Sequence, residues 1–205
     1  YAHDLTLNNP KDIYINKEQS KKRGGNTDTI IPQGRIDYAF SKPMRATTNI
    51  LNFTYDDIFF RVHILNSKNT NNTGVIRKNI VGFSKPVQVT NLERTLLDVS
   101  VRPGYSGGVN EVLDAYYLAK EKINVEKIIK YLKKIDYSYP YYKSILFYLK
   151  SIGLNDMAKT IFNKYYLDDP RNNLKFYLDY RMIGKQLDTD FNIYYPKNLN
   201  TRNYF

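Results

Sequence analysis

The sequence contains no cysteine, no tryptophan and only two histidines in 205 residues. Lack of cysteine excludes disulfides, thiolate zinc sites, iron–sulfur clusters and cysteine nucleophiles. His3 and His63 stand at no helical or hairpin spacing that would bring them together, so no metal site or histidine relay is read. His63, in a strand-like run, reads as a satisfied sheet histidine. Apolar runs such as Ile58-Phe59-Phe60 are a few residues long, far below the roughly 20 needed to cross a bilayer. No transmembrane helix, signal peptide or membrane partner is expected, and the cytoplasm is the default location. Glycine is also sparse. No Gly-rich turn ends in Gly-Lys-Ser/Thr, and Gly104, Gly107 and Gly108 lack the order of a dinucleotide site, so no cofactor is expected.

Acid is scarce relative to base: 31 Lys and Arg face 20 Asp and Glu, a formal charge of +11. AT-rich codons account for part of that surplus, since Asn, Lys, Ile and Tyr are all abundant, but the sign still favours a polyanionic partner. With 42% hydrophobic and 25% charged residues, wholesale disorder and fibrous architectures are excluded. The length suits one domain or two small lobes sharing a core.

The pattern along the chain predicts an α+β fold: a mixed lobe over residues 1–89, with a β-hairpin and small sheet, then a mainly helical lobe over 90–205, of about four helices and an extended tail. Asp12 to Asn16 alternates like a strand, and Lys17 to Asp28 is polar, with Lys21 to Asn26 reading as a glycine-bearing loop. Pro32 opens a short helix that Pro43 stops. Ile50 to Tyr55 and Ile58 to Leu65 are rich in β-branched and aromatic residues around Asp56-Asp57, which reads as a hairpin. Two more strand-like runs lie between Val75 and Val89.

Thr90-Asn91-Leu92-Glu93 reads as a capping box, in which Thr90 caps the helix and Glu93 reaches back to it. Leu92, Leu96 and Leu97 follow as an apolar stripe, with Arg94 and Asp98 at i,i+4. Another helix follows Gly107-Gly108. Asn124 caps a helix with Ile128, Ile129, Leu132 and Ile135 on one side and Lys127, Lys130, Lys133 and Lys134 on the other. Pro140 opens the next, which Gly153 closes, and Asn155 can cap a last one. Leu174 to Tyr180 and Ile193 to Tyr195 read as extended.

Candidate chemistry is thin. Asp56 and Asp57 fit a turn better than a nuclease centre, because the following strand reads Phe60-Arg61-Val62 with no Glu-x-Lys. Asp168-Asp169 before Pro170 reads as a turn start. The block from Val89 to Gly108 is sharper: a capped helix, a charged pair and a rigid turn around Arg102, Pro103, Gly104 and Tyr105. Its plain reading is structural, with Arg94 held by Asp98 and by the chain around Tyr105 to Gly108.

That block, with Glu-Arg-Thr-Leu-Leu-Asp over 93–98, Val-Arg-Pro-Gly-Tyr-Ser-Gly-Gly over 101–108 and the later Asp136 to Tyr142 including Tyr139 and Pro140, resembles AbiEi-type antitoxins of type IV abortive-infection toxin–antitoxin systems. The upstream Asp4-Leu5-Thr6, Pro10 and Ile13-Tyr14-Ile15, and the Gln33 to Arg45 segment, are similar too. The resemblance implies a bacterial protein with an N-terminal winged helix-turn-helix that represses its own operon, followed by a larger domain required for antitoxicity against a nucleotidyltransferase-like toxin; the thin acid/base and metal inventory favours a non-enzymatic antitoxin and transcriptional regulator. Nothing before Asp4 can hold that module, so the chain is expected to lack it. On this reading Glu93, Arg94, Asp98, Arg102, Tyr105, Gly107, Gly108, Tyr139 and Pro140 are scaffold. Lys127, Lys130, Lys133 and Lys134, extended by Lys143 and Lys150 on the next helix, form a stripe for operator DNA backbone or for the toxin. A solvated helix face is the plain alternative for the stripe, and core or rim packing the plain alternative to base stacking for Tyr137, Tyr139, Tyr141 and Tyr142. Two rival readings of the whole are a nucleic-acid enzyme with an unrecognised or decayed nuclease site, and a DNA-binding accessory domain.

Overall fold

The computed structural model describes residues 2–6, 11–20 and 30–200. The glycine-bearing loop at 21–26 and Pro10 lie outside them. Strands β2 (Ile50–Tyr55) and β3 (Ile58–Ser67) form the expected hairpin. Tyr55 faces Ile58 across a two-residue turn whose Asp56 and Asp57 have φ of 48° and 57°, a left-handed pair that matches strand twist and that Asp tolerates. Strand β1 (Asp12–Glu18) pairs parallel with the far edge of β3, Asp12 beside Arg61, giving the order β1-β3-β2. β1 therefore runs two residues past Asn16 into the start of the polar run. Strands β4 (Val75–Lys78) and β5 (Val87–Thr90) make a separate antiparallel pair.

Helix α1 (Gln33–Ser41) starts after Pro32 and buries Ile36 and Phe40. Five further helices follow, at the five places where the pattern predicts one: α2 (Leu92–Val101), α3 (Val109–Ala119), α4 (Val125–Ile135), α5 (Tyr142–Ser151) and α6 (Asn155–Tyr165). The cap of α2 is Asn91, whose side chain accepts from the Arg94 N–H at 3.0 Å. The predicted Thr90 capping box does not form, because Thr90 is still paired with Val75 in β5. Asn124 caps α4 as expected, accepting from the Lys127 N–H. Asn155 is the first residue of α6 rather than its cap. The tail forms β6 (Phe176–Tyr177), β7 (Lys185–Asp188) and β8 (Ile193–Pro196) in the order β6-β8-β7.

The core is continuous across the sequence. Leu96, Leu97, Leu113, Tyr116, Ile128, Ile145, Leu146 and Phe176 are fully buried, and Leu5, Ile36 and Phe40 from the first 89 residues belong to the same cluster. Phe40 stacks on Tyr177 and Tyr180, which ties α1 to the C-terminal sheet.

The β1-β3-β2 sheet is different. Its register puts Ile13, Ile15, Leu51, Phe53, Tyr55 and Ile58 on one face, and all six are exposed, Leu51 by 57% and Tyr55 by 67%. The opposite face carries Tyr14 stacked on His63, with Tyr14 also against Tyr105. His63 is a satisfied sheet histidine, its Nε2 lying 2.7 Å from Asp12 Oδ1. Among the described residues no helix is long and apolar enough to cross a membrane.

Candidate nucleic-acid interface

The motif between Val89 and Gly108 braces α2 against the 70–74 turn and, through it, β1. Arg94 is 5% exposed. Its Nε donates to Asp98 Oδ1 at 2.8 Å, as the i,i+4 spacing predicts, while Nη1 donates to Thr73 O at 2.6 Å and Thr70 Oγ1 at 3.1 Å. These last partners replace the expected ones around Tyr105 to Gly108. Glu18 accepts from the Thr70 hydroxyl and backbone N–H, so β1, the 70–74 turn and α2 form one network. Gly74, at φ 78°, lets the chain pass close to Arg94: a Cβ there would lie 2.7 Å from the Arg94 Cβ. Burial raises the Asp98 pKa against the pull of Arg94.

The rest of the motif is equally occupied. Arg102 lies over the Tyr105 ring, and the Tyr105 hydroxyl donates to Arg45 O at 2.8 Å. Gly107 ends the Pro103–Ser106 turn in the left-handed region, where a Cβ would lie 2.6 Å from Glu111 Cγ. Gly108, at φ 95°, precedes the first residue of α3. Pro140 is buried at the entrance to α5, its carbonyl accepting from the Lys143 N–H. Tyr139 is half-buried and packs edge-on against Phe40.

The six lysines do not form one stripe. Lys143 points inward: it is 0% exposed, and its ammonium donates to the carbonyls of Asn172, at 2.9 Å, and Leu174. Burial pushes its pKa down to about 8. Lys150 is held between Asp188 and Asp190. Lys127 binds the Glu93 carboxylate at 2.9 Å. Burial disfavours the charged Glu93, but the Lys127 contact and the backbone N–H groups of Glu93 and Asn124 outweigh it and hold its pKa low. The cause is tertiary: α5 is buried on nearly every side, and strand β7 brings Asp188 to Lys150 at its end.

Lys130, Lys133 and Lys134 remain. All three are exposed on α4 and make no ion pair among the described residues. Lys133 lies over the Tyr165 ring at 4.4 Å. Lys133 and Lys134 occupy the last turn of α4, where the carbonyl end of the helix favours cations.

Lys133 also borders a cavity of about 240 Å³ between α4, α5 and the end of α6. Its walls are tyrosines: Tyr137, Tyr139, Tyr141, Tyr142, Tyr165 and Tyr166. Tyr142 and Tyr166 stack on each other at 4.0 Å, while Tyr137, Tyr139 and Tyr165 are only half-buried. Arg171 and Asp169 line the cavity as a closed pair, Nη2 to Oδ2 at 2.7 Å, with Arg171 Nη1 also on Tyr137 O. Asp136 is the remaining acid. It sits at φ 52°, and its carbonyl accepts from Lys68.

Several of these partners escaped sequence reasoning. Asn71-Asn72-Thr73-Gly74 is a turn signal in its own right, and both asparagines have φ near 50°; it could have placed the 70–74 turn but not Arg94 on it. Nothing in the sequence marks Asp188, Asp190 or the Asn172 carbonyl as lysine partners. Among the described residues no group of three or more His, Asp or Glu could hold a metal ion. No family model, curated protein or solved structure matches this chain.

Proposed function

We propose that the chain is the binding module of an AbiEi-type antitoxin of a type IV abortive-infection system, a cytoplasmic protein of phage defence that neutralises a nucleotidyltransferase-like toxin by binding rather than by catalysis. It contributes to repression of its own operon by contacting DNA phosphates. The observation that carries this reading is the set Lys130, Lys133 and Lys134, exposed and making no ion pair among the described residues, on one helix of a +11 chain. Such lysines attract phosphate without reading base sequence. The motif residues shared with the antitoxins support it from the other side, since Arg94, Asp98, Tyr105 and Gly107 are committed to packing and hydrogen bonds. They mark a scaffold, and the working surface lies elsewhere.

The test is protection in cells that express the toxin of the same operon. The wild-type chain should restore growth, and the double variant Lys130→Glu/Lys134→Glu, folded to the same extent, should not. Equal protection by the variant would remove α4 from the interface. Hydrolysis of DNA or RNA with magnesium or manganese, abolished by one Asp or Glu substitution, would favour the rival nuclease reading instead.

A further inference from the structure

We infer that the tyrosine-walled cavity beside α4 receives one unpaired base of a single-stranded nucleic acid whose phosphates lie along Lys130, Lys133 and Lys134. This rests on the nucleic-acid-binding part of the proposed function and names its ligand form and its site.

Three observations converge on a base. The first is size: about 240 Å³ falls below the roughly 300–1,000 Å³ of sites for drug-sized ligands, which suits one ring system and not a run of stacked nucleotides. The second is charge. The lining carries two cations, Lys133 and Arg171, and two acids, Asp136 and Asp169, so its interior has no net charge and fits a neutral planar group better than a phosphate. The uncancelled charges of Lys130 and Lys134 stand outside it, on the same helix as Lys133. At 1.5 Å of rise per residue, Lys130 to Lys134 spans about 6 Å, enough for the backbone on either side of an extruded base. A neutral aromatic pocket beside an uncompensated cationic helix matches the chemistry of single strands, where bases stack on aromatic rings and lysines track the backbone.

The third observation is the availability of ring faces. Tyr142 and Tyr166 cover each other and Tyr139 is ringed by Phe40, Tyr141 and Phe176, but Tyr137 is half-buried on the cavity wall. Tyr137 meets Tyr141 at 77° and carries the Lys68 ammonium over one side of its ring at 5.9 Å, so the base stacks on the other side. Asp136, beside them, can accept from the exocyclic amine of cytosine or adenine. Duplex DNA keeps its bases stacked and could reach only the lysines, so the cavity confers a preference for single strands.

The absence of tryptophan makes the site directly readable, because the intrinsic fluorescence of the protein comes from its 20 tyrosines. The full chain is titrated with a 12-nucleotide oligo(dC), with the same oligomer carrying abasic sites, with a 12-base-pair duplex and with free CMP. Oligo(dC) should bind, quench tyrosine emission and exceed the abasic oligomer in affinity by at least about tenfold, the scale of one stacked base. Tyr137→Leu should erase that difference, and Lys133→Glu, at an exposed position, should weaken both oligomers while the fold persists. CMP should bind far more weakly than oligo(dC), since it carries a single phosphate. CMP binding as tight as the oligomer would make the site a mononucleotide pocket and overturn the proposal. Equal affinity for abasic and base-bearing oligomers would overturn the cavity assignment while leaving phosphate binding by α4 intact. No binding to any of the probes would overturn both.

Discussion

Helices α4 and α5 lie next to each other in sequence and carry their lysines in opposite directions. Along α4 the apolar residues Val125, Ile128, Ile129, Leu132 and Ile135 keep to one buried side, so Lys130, Lys133 and Lys134 stay in water. Along α5 nine of ten residues are buried, and Lys143 is forced inside, where two backbone carbonyls hold it. Arg94 on α2 behaves like Lys143. One residue class thus does two jobs: an inward cation is satisfied by fixed acceptors and shapes the fold, whereas an outward cation that makes no ion pair among the described residues is available to a partner. Net charge does not distinguish them. Burial of the helix does.

The largest effect should come from an inward cation. Arg94→Ala removes the guanidinium from Asp98 Oδ1 and from Thr73 O and strands a carboxylate and a carbonyl. Breaking such a buried pair costs about 3–5 kcal/mol, read as a drop in urea or thermal stability that precedes any loss of binding. A variant with wild-type melting temperature that fails to protect cells would make Arg94 a recognition residue and break the division.

Lys143 gives the next effect, through pH. Its folded pKa is about 8, below the 10.5 of an ordinary lysine, so between these values the unfolded chain binds more protons than the folded one. Stability then rises with pH across that window, by something on the order of 3 kcal/mol at its upper end. Above pH 10 the direction reverses, because burial raises the pKa of Tyr116 and Tyr148 and only the unfolded chain can ionise them. Denaturation at pH 7, 8, 9 and 10 should show the rise in wild type and not in Lys143→Met. A flat profile in wild type would place the ammonium in water.

The smallest stability effect belongs to the outward cations. Lys130→Ala and Lys134→Ala should each change stability by less than about 0.5 kcal/mol. A larger loss in either would mean that α4 uses that lysine to hold the fold.

What was legible in the sequence follows the range of the interactions. The β2-β3 hairpin was readable because Asp56-Asp57 and the flanking β-branched runs are local signals, and Asn124 was readable as a cap for the same reason. The Arg94–Asp98 pair was visible at i,i+4. Strand β1 was visible as a strand but its parallel partner was not, since β3 lies more than forty residues away and parallel register leaves no turn to read. The capping box misled because Thr90 serves the β4-β5 ladder, a pairing that outranks a helix end. The lysine stripe was half legible: α4 has a clean 3.6-residue period, but α5 alternates too little for its lysines to be assigned a side. Asp188 and Asp190 reach Lys150 only through the tail sheet. Apolar content was no guide to the β1-β3-β2 sheet either, where Leu51, Phe53 and Tyr55 are exposed although Leu96 and Leu113 are not.

The claim at the centre is that Lys130, Lys133 and Lys134 bind phosphates. It is tested most directly by the slope of log K against log salt for a DNA duplex, measured for the wild type and for Lys130→Glu/Lys134→Glu. Each phosphate contact contributes about −0.9 to that slope. Losing two contacts should flatten it by about 2 and weaken binding equally on operator and random sequence, at unchanged melting temperature. An unchanged slope in the variant, or no salt-sensitive binding by the wild type, would contradict it.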